Sequence, residues 1–151
     1  MHRRSFLATV GTSVSLFGGG CLSLLEDSSI QLGYLDVGNF DGEQHEFEVQ
    51  VERNGTQVHS SSHSIAGKEG NVVHSEAVEC TWGSTAGEYT VSARVDGNEW
   101  KSQSLLPADS VVSSETDCVV VGVWYRFDRL EFQIGSGCNR DYDGMCSFTS
   151  Q

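Results

Sequence analysis

The chain has 151 residues, with nine basic residues against 21 acidic ones and a formal net charge of −12. This length suffices for one domain with a hydrophobic core of its own. So acidic a chain has few Lys or Arg side chains with which to bind nucleic acid or anionic lipid headgroups. We therefore expect a single domain and exclude nucleic acid as a partner.

Residues 1–20 have the layout of an export signal. Arg3 and Arg4 precede an uncharged run of fifteen residues from Phe6 to Gly20, which is shorter than the roughly 20 apolar residues of a membrane-spanning helix. A positive start, a short apolar region and small residues before a cleavage site are typical of a cleaved signal peptide. The sequence Arg-Arg-Ser-Phe-Leu resembles a twin-arginine signal.

Cys21 follows this run directly. Residues 16–21 resemble a lipobox, in which a peptidase cuts before a cysteine that then carries lipid, although Phe17 and Gly18 stand where Leu and Ala or Ser are commoner. The resemblance implies that Cys21 is the lipidated first residue of the mature chain and that residues 21–29 form a lipid anchor and a short tether. Plain cleavage with an ordinary thiol at this position is the alternative.

The signal, the lipobox and the acidity together resemble the secreted lipoproteins of halophilic archaea. Removal of residues 1–20 leaves seven basic residues against 21 acidic ones, a net charge of −14, which suits a protein in high salt because salt screens its self-repulsion. The resemblance implies an exported protein at the outer face of the cell membrane, anchored through lipid on Cys21. It implies no particular activity.

From residue 30 onward the dominant hydrophobic period is two. The runs HEFEVQVER (45–53) and GEYTVSARV (87–95) alternate apolar and polar residues, as half-buried strands do. Asn54-Gly55 and Asp96-Gly97 follow these runs directly and predict tight turns into further strands. Similar reasoning predicts strands at 30–37, 56–60, 71–78, 98–106, 118–125 and 130–134.

About eight short strands separated by turns predict an all-β fold, an antiparallel β-sandwich over residues 30–151. The strand that begins at Cys118 is apolar on both faces, and we expect it to lie centrally with both faces covered. Residues 86–91, followed by Asp96-Gly97, resemble the penultimate hairpin of immunoglobulin-like modules in extracellular proteins. This resemblance implies an immunoglobulin-like topology.

Four cysteines remain once Cys21 carries lipid: Cys80, Cys118, Cys138 and Cys146. An even number in an exported chain predicts two disulfides. A three-residue loop at 127–129 would place Cys118 opposite Cys138, which would leave Cys80 for Cys146. A two-residue turn aligns the apolar residues of that hairpin better and would put the first pair on opposite faces unless a bulge intervenes. The pairing of Cys80 with Cys118 and of Cys138 with Cys146 therefore stays open.

Two stretches are candidates for a ligand or a modification. Asn139, Asp141 and Asp143 alternate before a glycine, like the first half of a calcium loop, but Ser150 stands where the bidentate Glu would be. We prefer to interpret them as an acidic surface turn, so we expect no cofactor, with a structural calcium ion as the alternative. Asn54 begins a glycosylation sequon at an expected hairpin tip, where a plain turn also explains it.

No catalytic motif can be named. The patterns G-x-S-x-G and H-E-x-x-H are absent, and no histidine follows any of the last three cysteines, which excludes a blue-copper site. His59 and His63 share a strand face, but residues four apart on a strand lie about 13 Å apart, too far to share one ion. We interpret them, with His74, as solvated polar residues near a loop.

We therefore predict a lipid-anchored cell-surface module with a non-catalytic binding or structural role, whose partner is a surface protein or a glycan. The alternative is an extracellular ligand-binding lipoprotein, or an enzyme without an identifiable motif, with or without calcium. A concave pocket with converging polar groups would favour the alternative. The candidates for an aromatic ligand surface are Trp82, Trp100 and Trp124, of which we expect Trp124 to lie in the core.

Overall fold

The computed structural model describes residues 29–105 and 118–136, together with Cys138 and Cys146. These residues form eight β-strands and no helix. The strands are β1 (Gln31–Asn39), β2 (His45–Arg53), β3 (Thr56–Ile65), β4 (His74–Ala77), β5 (Tyr89–Val95), β6 (Lys101–Ser104), β7 (Cys118–Arg126) and β8 (Arg129–Ser136).

The strands form two four-stranded sheets that pack face to face. The first sheet has the order β4-β1-β7-β8 and the second has the order β3-β2-β5-β6. The predicted sandwich of about eight antiparallel strands is confirmed, with one exception among the described pairs: β1 and β7 run parallel. Parallel neighbours need a crossover connection, and the chain between β1 and β7 passes through the whole second sheet.

Two turns that the sequence predicts are present. Asn54 and Gly55 have φ angles of 53° and 79°, and Asp96 and Gly97 have φ angles of 52° and 71°. Asn, Asp and Gly are the residues that tolerate this left-handed region best. The first turn joins β2 to β3, and the second follows β5 and leads towards β6.

Of the two turns considered between β7 and β8, the two-residue turn is present and the three-residue loop is not. Arg126 is paired with Arg129, so only Phe127 and Asp128 form the turn, and both have positive φ angles, 52° and 58°. The physical reason is the core: a two-residue turn places Val121 opposite Ile134 on the inward face, and a one-residue slip would move the inward side chains to the wrong side.

The disulfides join Cys118 to Cys138 and Cys80 to Cys146, with Cα atoms 5.7 and 5.4 Å apart. This is the pairing that the sequence favoured, although the loop geometry that favoured it is not the one present. The register pairs Val119 with Ser136, so Cys138 lies one residue beyond the position opposite Cys118. The second bridge fastens the C-terminal region to the segment after β4.

The core lies between the inward faces of the two sheets. Alternate residues of β2 and β5 are buried, as the period-two pattern predicts. Strand β7 lies between β1 and β8, in agreement with the expected central position. The expectation that both of its faces are covered is wrong within the described residues, since Val120 and Trp124 on its outward face are only half-buried. Trp82 packs at one side of the core, where its indole N–H donates to the carbonyl of Leu32 at 2.8 Å.

Candidate functional site

The outward face of the first sheet carries a groove of about 330 Å³, which we call the outer groove. Strands β1, β7 and β8 line it, since every second residue of a strand points away from the core. Its aromatic and polar lining residues are Tyr34, Asp36, Trp124 and Gln133. This volume falls within the range of small-ligand sites.

Trp124 lies against the sheet because two neighbouring positions are glycine. Gly38 is paired with Trp124, and a Cβ atom at Gly38 would come within 3.1 Å of the indole ring. A Cβ atom at Gly122 would come within 2.6 Å of the indole nitrogen and 3.0 Å of the Asp36 carboxylate. Phe40 packs beside the indole, with ring centroids 5.2 Å apart. Glycine at both positions thus leaves room for an aromatic surface on the floor of the groove.

Asp36 is the acidic group of the outer groove. Burial raises the pKa of its carboxyl above the ordinary value, and a hydrogen bond that the indole of Trp124 donates partly offsets this effect. A carboxylate that has lost part of its hydration has more to gain from a donor on a ligand. Perturbed acids in concave sites are typical of functional sites.

A second group of polar side chains lies at the edge of the sandwich, between β3 and β4. Ser61 is within 2.7 Å of both His59 Nε2 and His63 Nε2. His59 Nδ1 is hydrogen-bonded to the hydroxyl of Thr81, and His63 Nδ1 lies 3.3 Å from Glu76 Oε1. We call these five residues the serine–histidine chain.

The proton positions in this chain follow from its acidic end. Glu76 Oε1 lies 3.3 Å from His63 Nδ1, and because an ionised carboxylate attracts an N–H and only accepts, we place the proton of a neutral His63 ring on Nδ1. Nε2 of that ring then accepts from the Ser61 hydroxyl, Ser61 accepts from His59 Nε2–H, and Thr81 donates to His59 Nδ1. The three hydrogen bonds from Thr81 to His63 thus share one direction of donation.

The interpretation of these histidines as solvated residues is wrong. His59 and His63 are only 7% and 9% exposed, because their strand positions face inward beside Val51 and Phe47. Their backbones are well separated, but both rings lean toward Ser61, which backbone spacing alone does not reveal. His74 lies on β4 with its Nε2 buried and unpartnered within the described residues.

A third histidine site lies where β2 begins. His45 Nδ1 and Nε2 lie 2.5 and 2.6 Å from carboxylate oxygens of Asp96 and Asp41, respectively. Burial disfavours the imidazolium, but the hydrogen bonds to both carboxylates outweigh burial and raise the pKa of His45. Tyr125 packs edge-on against the ring, with centroids 4.6 Å apart. The sequence does not predict this site, since the residues that contact the imidazole ring come from three separate segments.

Basic residues gather at the end of the sandwich that holds the β7–β8 turn. Two clefts flank the turn and share Asp128. They are lined by five of the six Lys and Arg residues within the described ranges: Lys68, Arg94, Lys101, Arg126 and Arg129. Between them, Phe127 is 80% exposed. Net charge gives no sign of this uneven distribution.

The structure places the other predicted site residues as follows. Asn54 is an exposed turn residue whose side-chain oxygen accepts from the amide of Glu88 at 2.9 Å, and its glycosylation stays a prediction. Cys21 and the calcium candidates Asn139, Asp141 and Asp143 lie outside the described residues.

The three tryptophans have different positions. Trp82 is in the core and Trp100 is 38% exposed, where Arg94 lies 4.7 Å from the centre of its ring. Trp124 lies half-buried in the outer groove, so the prediction that it is a core residue is wrong. Strand alternation turns Trp124 outward, and glycine at the paired position 38 and at position 122 on the same strand leaves room for its ring.

In the described part of the chain, no segment is a helix long and apolar enough to cross a membrane. No group of three or more His, Cys, Asp and Glu residues in the same part is arranged to hold a metal ion.

Comparison with known proteins adds no further assignment. No model of a known protein family matches the chain, and no curated protein matches it.

Proposed function

We propose that this chain is a lipid-anchored module of the cell surface that binds a glycan, without catalysis, in the outer groove. The observation that carries the proposal is the position of Trp124 against Gly38 and Gly122, with the Asp36 carboxylate beside it. An aromatic ring suits the apolar C–H face of a sugar. Carboxylate and amide groups around it suit the hydroxyls.

The groove has the features of a binding site and lacks those of a reaction site. Asp36 and Gln133 supply polar groups at its rim, and Tyr34 supplies a second ring. Among the residues that line it in the described ranges, none is Ser, Thr, Cys, His or Lys, so the nucleophiles or bases that it could offer are limited to the Asp36 carboxyl and the Tyr34 phenol. This composition favours recognition over turnover.

The test is a titration of the protein with a panel of neutral mono- and disaccharides, in which tryptophan fluorescence and calorimetry measure binding. We expect at least one saccharide to bind, and Trp124→Ala to weaken its affinity by about tenfold or more, which corresponds to about 1.4 kcal/mol. Trp100→Ala is the matched control, since Trp100 lies outside the groove, and it should bind normally.

A second variant separates ring position from ring identity. Gly122→Ala keeps every polar group but places a methyl group within 2.6 Å of the indole nitrogen, so Trp124 must move. We expect this variant to lose affinity as well. Equal saccharide binding by the wild type, Trp124→Ala and Gly122→Ala would contradict the proposal, as would a panel without any ligand.

The membrane anchor is proposed from the N-terminal sequence. Eight residues between Cys21 and Ile30 give a tether with a reach of about 26 Å. The β7–β8 turn lies at the opposite end of β1 from residue 30, so it would face away from the membrane. Intact mass of the protein from the host's membrane fraction tests this: we expect a chain that begins at Cys21 with added lipid mass. Retention of Met1 in a cytosolic fraction would contradict export.

An immunoglobulin-like relation of strands β1–β6 is supported by their pairing. The order β3-β2-β5-β6 matches the C′, C, F and G strands of such domains, and β1 with β4 matches B with E. Tyr89 near the start of β5 donates its hydroxyl to the carbonyl of Thr85, like the tyrosine corner of that fold. On this proposal the β7–β8 hairpin takes the place of strand A.

A further inference from the structure

Four serines lie on β3, and one of them differs from the rest. Ser60, Ser62 and Ser64 point outward and are exposed, whereas Ser61 points inward and is partly buried. Ser61 alone has two imidazoles at 2.7 Å. The strand therefore contains one serine in an unusual chemical environment and three ordinary serines as internal references.

We propose that Ser61 is an activated nucleophile that accepts an acyl group from an activated ester, with His63 as its general base. A nucleophile, a base within hydrogen-bond reach and a third group that orients the base are the signature of such sites. Here the hydroxyl of Ser61 donates to His63 Nε2, and the Glu76 carboxylate lies 3.3 Å from the opposite nitrogen of the same ring, where its charge favours a proton on that nitrogen. Glu76 is thus a positioning residue.

Access and burial fit these roles. Ser61 keeps part of its surface because β3 is the edge strand of the second sheet. The side chain of His63 is 9% exposed and that of Glu76 is 53% exposed, so the base is shielded while the carboxylate reaches the surface. A shielded base and a reachable hydroxyl are the combination that acyl transfer needs.

His59 adds a donor beside the reacting oxygen. With Ser61 donating to His63, the Ser61 oxygen accepts from His59 Nε2–H, and the Thr81 hydroxyl can donate to the opposite nitrogen. When Ser61 adds to an ester carbonyl, negative charge develops on the carbonyl oxygen, two bonds from Oγ, and a nearby N–H donor stabilises that charge. The same tautomer of His59 therefore serves the resting hydrogen bond and the addition step.

The reaction balances without any other reactant. Ser61 Oγ attacks the ester carbonyl, a new Oγ–C bond forms and the ester C–O bond breaks. The hydroxyl proton moves to His63 Nε2 and from there to the departing alkoxide. No electrons are transferred, and the product is a serine ester on β3. This site is on the inner edge of the sandwich, separate from the outer groove.

The experiment uses a fluorophosphonate probe on the folded chain with both disulfides intact. In this probe reaction an Oγ–P bond forms, the P–F bond breaks, and fluoride leaves with the proton that passes through His63. We expect mass spectrometry to locate the label on Ser61, at a rate about 100-fold or more above that of Ser60 and Ser62, since a positioned base contributes about that factor or more.

Matched variants separate activation from simple exposure. Replacing Ser60, Ser62 and Ser64 together by Ala should leave the labelling rate unchanged, and Ser61→Ala should abolish it. His63→Gln should slow it about 100-fold. Glu76→Gln should slow it about tenfold at an unchanged melting temperature, because Glu76 is largely exposed and acts on the base and not on stability. Trp124→Ala should label like the wild type.

Two results would overturn the proposal. One is equal labelling of Ser61 and its outward neighbours in the folded chain. The other is a wild-type rate in the Glu76→Gln and His63→Gln variants whose circular dichroism shows that they are folded. If His63→Gln does not fold, the proposal is tested by the labelling rate of the Glu76→Gln variant and by the position of the label in the wild type.

Discussion

Two buried histidines on neighbouring strands show how partners, more than burial, determine protonation. His45 on β2 and His59 on β3 are only 9% and 7% exposed. His45 lies between two carboxylates, and its pKa is raised although burial opposes the charge. His59 is hydrogen-bonded only to hydroxyl groups; burial and the nearby His63 lower its pKa, and the charge of Glu79 offsets only part of this effect.

The two shifts give opposite dependences of stability on pH. The stability that His45 contributes is fully present below the unfolded pKa of 6.5 and is lost as pH rises through its higher folded pKa. For His59 the unfolded chain takes up the proton first as pH falls below 6.5, so acid destabilises the folded state there. The two effects therefore act on opposite sides of pH 6.5: His59 weakens the fold as pH falls below this value, and His45 does so as pH rises above it.

The largest expected effect comes from removal of the hydroxyl that the two imidazoles share. Ser61→Val leaves the Nε2 atoms of His59 and His63 without partners in a mostly buried position, and each buried unsatisfied group costs about 1–3 kcal/mol. We expect a loss of about 2–4 kcal/mol in urea unfolding at neutral pH. The matched change at the exposed Ser62, Ser62→Val, should cost close to nothing; similar losses for both would show that the chain adds no stability.

A smaller effect is expected at the carboxylate site. Asp96→Asn removes one negative partner of His45 but keeps the oxygen that accepts from the amide of Glu46. Since Asp96 is 46% exposed, solvent screening limits the loss to about 1 kcal/mol. Unfolding measured across pH should show the loss at about pH 6 and little of it at about pH 9. A loss independent of pH would contradict a role for the imidazolium.

The smallest effect is expected at Phe127, whose side chain does not titrate. This position therefore serves as a pH-independent reference for the two histidine sites. Phe127 holds a φ angle of 52°, which Asn adopts more readily than a bulky aromatic residue. Because the side chain is 80% exposed, little packing is lost. We expect Phe127→Asn to stabilise the fold by about 0.5 kcal/mol at every pH, as a uniform rise in melting temperature. A pH-dependent gain would mean that the turn communicates with His45.

Strand positions and two of the turns were predictable from local chemistry. The alternation in 45–53 and 87–95 has the same period as the side chains of a strand, and Asn-Gly or Asp-Gly supplies the positive φ angles of a tight turn. The turn Phe127-Asp128 was only one of two alternatives in the sequence, because a bulky aromatic residue such as Phe127 does not favour a positive φ angle by itself. There the apolar pairing of β7 with β8 decides the register.

The candidate sites were much less predictable, for a related reason. In the outer groove, Trp124 needs glycines from β1 and β7 to lie where it does. In the serine–histidine chain, Glu76 and Thr81 come from segments that follow β3 by more than ten residues. No spacing rule joins such residues, since only sheet packing brings them together.

The sequence by itself determined the elements of this protein: the signal-like start, the period-two strands, the two Gly-containing turns and the four cysteines from residue 80 onward that supply two bridges. These depend on neighbours in the chain. Tertiary structure decided that β1 and β7 pair in parallel, that Trp124 faces outward, and that His59 and His63 meet at Ser61. Those features depend on which sheet faces and edges approach one another, because side-chain contact across a sandwich is set by packing and not by distance along the chain.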